Sequence, residues 1–179
     1  MFTIDKSVML LVDVQGQLAQ LMYEKDKLFA SLELLIKAMK ILNVPILWME
    51  QIPSKLGHTI GELSCLMEGT TPIEKYSFSC CKEPEFMNKF KALGRNQVLL
   101  TGIETHICVH QTGYELLNQG YQVQVAADCV SSRTKENKEI GLGQLVQFGG
   151  QLTSVEMILF ELMEEARGEK FKQLVKLIK

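Results

Sequence analysis

The run at residues 7–14, SVMLLVDV, decides the fold. It is apolar almost without interruption and lacks the polar alternation of a half-solvated strand. Such a segment suits a strand buried on both faces of a parallel sheet. A carboxylate, Asp13, breaks the run near its far end.

Downstream, Leu28, Leu32, Leu35, Ile36 and Met39 recur at helical spacing and form one apolar stripe. Asn43 and Pro45 stop that helix, and residues 46–49 read as a second strand. Thr59 followed by Glu62 predicts a capping box on a short helix, with a brief third strand at Ile73–Lys75. Residues 83–93 read as a helix with Pro84 in its first turn. A fourth strand over 97–100 is closed by Thr101 and Gly102. A helix from about His106 to Asn118 ends at Gly120. Then come a fifth strand over 121–127, a helix over 135–148 and a sixth strand at Gln151–Thr153. Thr153 and Glu156 are expected to cap the next helix. Phe171, Leu174, Val175 and Ile178 give the last helix an apolar face. Alternating β and α elements of these lengths predict a three-layer α/β/α sandwich on a six-stranded, mostly parallel sheet.

With 179 residues, the chain is long enough for one full core and short for two, so a single domain over 1–179 is expected. Nineteen basic residues against 21 acidic ones leave a net charge of −2, with no basic block. That balance offers no electrostatic reason for nucleic acid or an anionic membrane as partner. The cysteines at 65, 80, 81, 108 and 129 are odd in number and irregular in spacing, unlike a disulfide framework. The N-terminus reads as polar, without a secretion leader. The expectation is a cytoplasmic protein with reduced thiols.

In open parallel sheets, ligands bind beyond the carboxyl ends of the strands, where the strand order reverses. Three strand-end residues are therefore the candidates for chemistry. Asp13 is either a partly desolvated base or a turn residue capping the next helix. Cys108 lies in the segment Gly102-Ile-Glu-Thr-His-Ile-Cys108. With Thr105 as N-cap it would fall in a first helical turn, where amides and dipole favour a thiolate; otherwise it is a small buried hydrophobe. Lys75 ends a short apolar segment, and no spacing rule singles it out from a solvated lysine.

Five motifs in order change this balance. They are Asp13-Val-Gln15, Lys75 with Phe78, residues 102–112 (GIETHICVHQT), residues 128–133 (DCVSSR) and Thr153-Ser-Val-Glu156. Together they resemble the isochorismatase-like cysteine hydrolases, over nearly the whole chain. The resemblance implies strand order 3-2-1-4-5-6 and a triad of Asp13, Lys75 and Cys108. In it Asp13 moves the thiol proton, Lys75 stabilises thiolate and carboxylate, and Cys108 attacks a carbonyl to form a thioester. It also implies a cis peptide between Ile103 and Glu104, and an oxyanion hole from the Glu104 and Cys108 amides. The reaction implied is hydrolysis of an amide-like C–N bond in a small molecule, with no cofactor, by a homo-oligomer of two or more copies.

Some family features are missing. Nicotinamidases bind a metal after the second strand, whereas here only Glu50 and His58 are candidate ligands, too few for a three-ligand site. No metal is therefore expected. Cys108 argues against vinyl-ether hydrolysis, for which the true isochorismatases lack the nucleophile. Gln51, Phe78 and His106 are the expected pocket residues. Residues 131–133 read as an anion-binding turn or a structural loop. The alternative function is a catalytically weak or inactive oligomeric binding or scaffold protein of the same fold.

Overall fold

The computed structural model describes residues 1–178. In chain order the elements begin with β1 (Ser7–Val12), α1 (Gly16–Gln20), α2 (Lys25–Leu42), β2 (Ile46–Gln51), α3 (Pro53–Leu56) and α4 (Gly61–Ser64). There follow β3 (Ile73–Lys75), α5 (Pro84–Ala92), β4 (Gln97–Ile103) and α6 (His110–Asn118). The chain closes with β5 (Gln122–Ser131), α7 (Lys135–Gln147), β6 (Gln151–Thr153), α8 (Val155–Met163) and α9 (Glu169–Ile178).

The six strands form one sheet in the order β3-β2-β1-β4-β5-β6. Every pairing in it is parallel. The one antiparallel contact among the described residues, Gln15 with Thr59, is an isolated bridge outside the strands. All of β1 is buried. Its side chains alternate between two cores, Met9 and Leu11 facing one layer and Val8, Leu10 and Val12 the other. The run that decided the fold is therefore one of the two central strands.

The stripe Leu28, Leu32, Leu35, Ile36 and Met39 is fully buried under the first layer. Asn43 ends α2 in the left-handed region, its N–H donating to Lys40 O. Phe86 and Phe90 of α5 stack with centroids 5.5 Å apart in the second layer.

Several local expectations are corrected. Thr59 does not cap α4: its N–H and hydroxyl both donate to Glu50 Oε1, at 2.7 and 2.9 Å. The cap of α8 is Ser154, one residue later than expected, accepting from the Met157 N–H. The fifth strand runs on to Ser131, because a register shift absorbs the interruption at Ala127-Asp128: Leu100 pairs with Val125, but Gly102 with Val130. The apolar face of α9 is used within the chain, Leu174 packing against the layer that holds α2. Among the described residues, no helix is long and apolar enough to cross a membrane.

Gly102 fixes how closely β4 approaches β1. Its φ is +106°, and a Cβ there would lie 2.0 Å from Val12 O. No other residue fits between these strands just where their ends must converge.

Candidate active site

The site is assembled along one edge of the sheet. Lys75 is the last residue of β3 and Gln51 the last of β2, Asp13 follows β1, and Cys108 follows β4. Because these four strands are successive neighbours, their carboxyl ends bring the four side chains together, at the point where the order reverses between β1 and β4.

Lys75 is among the largest fully buried side chains. Its Nζ lies 2.7 Å from Asp13 Oδ2. It donates to Gln51 Oε1 and to the carbonyls of Ser77 and Phe78, at 3.1 and 3.2 Å. An ammonium has three hydrogens, so its donors are spent on the protein. Asp13 sits at φ 50°, in the left-handed region that aspartate tolerates better than most residues. It is not a helix cap. The N-cap position of α1 is Gln15, and neither Asp13 oxygen accepts a well-directed hydrogen bond.

Gln15, unassigned from sequence beyond its motif, is the brace of this edge. Its Nε2 donates to Gln51 O at 3.2 Å and Gly57 O at 2.6 Å, and its Oε1 accepts from the Gln51 N–H at 2.6 Å. A fixed Gln51 then holds Lys75 through Oε1 and the Tyr76 carbonyl through Nε2. A lone buried glutamine in sequence gives no signal of this role.

The segment carrying Cys108 differs from expectation. The Ile103–Glu104 peptide is cis. Glu104, extended at φ −83° and ψ 142°, takes the N-cap position, and a π turn, Thr105–Val109, precedes α6. Cys108 thus lies in a π turn and not in a regular first helical turn; such turns recur at functional sites. Thr105 caps nothing, its hydroxyl being buried without a partner.

The electrostatics follow from burial. Desolvation raises the Asp13 carboxyl to about 6, against the pull of the Lys75 charge and of contacts to Lys75 and Cys108. Burial, reinforced by the Asp13 charge, pushes the Cys108 thiol up to about 12, with Lys75 opposing. Burial also acts against the Lys75 ammonium, but Asp13 and the thiols of Cys80 and Cys108 hold it above its usual range. The resting thiol is therefore neutral, contrary to the thiolate that a helix terminus would favour. A carboxylate with free acceptor sites lies beside it.

A half-open cavity of about 100 Å³ adjoins these groups, with Asp13, Gln51, Glu104 and Cys108 in its wall. Cys108 is 8% exposed, whereas Cys80 and Cys129 are sealed. Of the expected pocket residues, Gln51 and Phe78 line the cavity and His106 does not. The π turn carries His106 the other way, its Nδ1 lying 2.9 Å from Ser132 Oγ. Residues 131–133 are likewise engaged internally: Ser131 Oγ donates to Tyr23 O, and the Arg133 N–H and Nε donate to Glu104 Oε2. Glu50 and His58 meet at 3.0 Å as a pair. Among the described residues, no group of three or more potential metal ligands converges.

The isochorismatase domain family matches residues 7–157. This chain belongs to the isochorismatase family. It is 37% identical to a secreted isochorismatase effector of Phytophthora sojae over 177 residues, covering 97% of this chain and 84% of the relative. The structure of the MAR1 ribonuclease from Caenorhabditis elegans superposes with a TM-score of 0.92 at 34% identity, covering 99% of this chain and 91% of that one. The YcaC gene product of Escherichia coli, described as an octameric hydrolase of unknown specificity, shares the fold at TM-score 0.92 and 21% identity, covering 98% and 89%. The isochorismatase fold in this chain thus brings Asp13, Lys75 and Cys108 to one sheet edge, beside one cavity.

Proposed function

We propose that this protein is a cysteine hydrolase of amide-like C–N bonds in small molecules. The observation that carries the reading is a neutral thiol beside a buried carboxylate with unfilled acceptor sites, at the wall of a small cavity. As Cys108 Sγ attacks the carbonyl carbon, its proton passes to Asp13 and a C–S bond forms. The Glu104 and Cys108 amides receive the developing oxyanion. When the C–N bond breaks, Asp13 returns the proton to the departing amine. Water, deprotonated by Asp13, then cleaves the thioester and restores the thiol. Lys75 keeps Asp13 ionised near neutral pH and, once Asp13 has taken the proton, offsets the negative charge developing on sulfur. No step draws on a cofactor or a metal.

A ribonuclease activity, named for the Caenorhabditis elegans relative, is the competing reading. A cavity of about 100 Å³ does not admit a nucleotide, and a net charge of −2 does not favour a polyanion. The catalytically weak oligomeric scaffold is the other reading. Exposed Tyr114 and Phe148, stacked edge-on at 4.6 Å between α6 and α7, support assembly into a homo-oligomer in either case. Five free thiols suit a reducing, cytoplasmic setting.

The test is to incubate wild type and Cys108→Ala with a panel of small amides, ureas and carbamoyl compounds, and with RNA. Turnover of a small amide that disappears in Cys108→Ala supports the proposal. RNA cleavage that survives the substitution, or no turnover of any compound, overturns it.

A further inference from the structure

The cavity beside Cys108 has a composition that selects its occupant. Five apolar side chains, Leu18, Leu56, Phe78, Ile103 and Ile107, make up most of its wall. Its polar residues are already committed. Lys75 donates to Gln51 and two carbonyls and is ion-paired with Asp13. The Gln51 side chain accepts from Lys75 and donates to Tyr76 O. Glu104 Oε2 is held by Arg133, whose side chain is half exposed and lies outside the wall. Among the described residues, no uncommitted cation lines the space, while Asp13 does; Glu104 is also in the wall, with its carboxylate held by Arg133. The volume is well below the ~300–1,000 Å³ of common ligand pockets.

An anionic group entering here would be desolvated among aliphatic side chains, beside the Asp13 carboxylate and with no cation left free to pair with it, which is strongly unfavourable. A short uncharged acyl chain loses nothing comparable and gains burial. The geometry points to small, neutral, aliphatic amides as the substrate class, with Leu56 and Phe78 as specificity-determining residues that exclude carboxylate-bearing substrates. The assignment of amides rests on the cysteine-hydrolase reading, but the selection for neutrality does not.

The experiment separates the two by using alkylation, which needs no turnover. Iodoacetamide and iodoacetate each form a C–S bond with the thiol and release iodide, the thiol proton leaving to Asp13 or solvent. They differ in a carboxamide against a carboxylate. Their rates at Cys108 are read by peptide mass and compared with those at Cys65, which is exposed in the same chain. The preference for iodoacetamide should be at least about tenfold greater at Cys108 than at Cys65. Equal preference at the two cysteines overturns the inference.

Leu56 is partly exposed in a short surface helix, so Leu56→Lys keeps the fold and adds a cation at the cavity. It should raise the iodoacetate rate at Cys108 several-fold more than the iodoacetamide rate; an unchanged ratio of the two overturns the assignment of Leu56. With substrates, isobutyramide should be hydrolysed and succinamate spared. Hydrolysis of both at similar rates refutes the selection while the hydrolase reading stands. Hydrolysis of neither, with the alkylation preference intact, refutes the hydrolase reading and leaves the selection standing.

Discussion

Lys75 Nζ and Asp13 Oδ2 are 2.7 Å apart although their strands, β3 and β1, are not neighbours. Lys75 reaches across the end of β2, and Gln51, the residue it passes, holds it on the way. The pair is buried almost completely. Each partner depends on the other, since a lone charge at this depth would be neutralised or expelled.

Removing the lysine should therefore act on stability and titration together. Lys75→Met leaves an uncompensated carboxylate, and the expected loss is ~3–5 kcal/mol of unfolding free energy near neutral pH, measured by urea denaturation. Lys75 lowers the Asp13 pKa, so its removal should also move the acidic limb of kcat/KM to higher pH. A limb that stays in place would show that Lys75 does not act on Asp13.

On the proposed mechanism, Asp13 must be ionised to take the thiol proton. Burial raises Asp13 to about 6. The value of kcat/KM should therefore fall below about pH 6, about tenfold per unit, because protonation removes the acceptor. The thiol, raised to about 12, loses its proton only as it attacks, and no second rise near pH 8–9 is expected. Linkage works in the opposite direction. A carboxyl raised on folding contributes its stability in the protonated form, fully below about 4, and loses it as pH rises through about 6. On the proposed mechanism, ionised Asp13 thus favours activity and disfavours stability over the same range.

Gln15→Ala should leave the chemistry's groups in place but release Gln51. The expected effect is a drop in kcat of about tenfold, with the acidic limb unmoved and a modest loss of stability. A fall in kcat equal to that of Asp13→Asn, expected at ~10²–10⁴-fold, would mean that Gln15 does more than brace.

Gly102→Ala tests the convergence of β1 and β4. The added methyl would overlap Val12 O at a φ of +106°. A loss of about 3 kcal/mol or more is expected, a fall in Tm of roughly 6–12 °C for a chain of this size. An unchanged Tm would mean that the two strand ends can part.

These residues also mark what the sequence could reveal. Asp13 was legible because a carboxylate ending an apolar run is conspicuous. Strand β1, the stripe on α2 and the strand order needed no more than patterning and the resemblance. Lys75 was invisible to local physics, because its three-residue strand carries no periodic signal and its burial depends on partners 24 and 62 positions away in sequence. The π turn at Thr105–Val109 was missed because it is dictated by tertiary packing and not by capping residues. That error misplaced His106 and implied a resting thiolate. Thr59 was misread for a related reason: a buried carboxylate, Glu50, competes for the donors that a cap would use.

The central claim is that Cys108 becomes covalently acylated during turnover. The direct measurement is rapid acid quench of wild type with a turned-over amide, followed by intact and peptide mass spectrometry. The account predicts an adduct of the acyl mass on the peptide containing Cys108, at a level that falls below about pH 6 with the rate, and no adduct in Cys108→Ala. Full turnover by Cys108→Ala, or an acyl adduct confined to another residue, would contradict it.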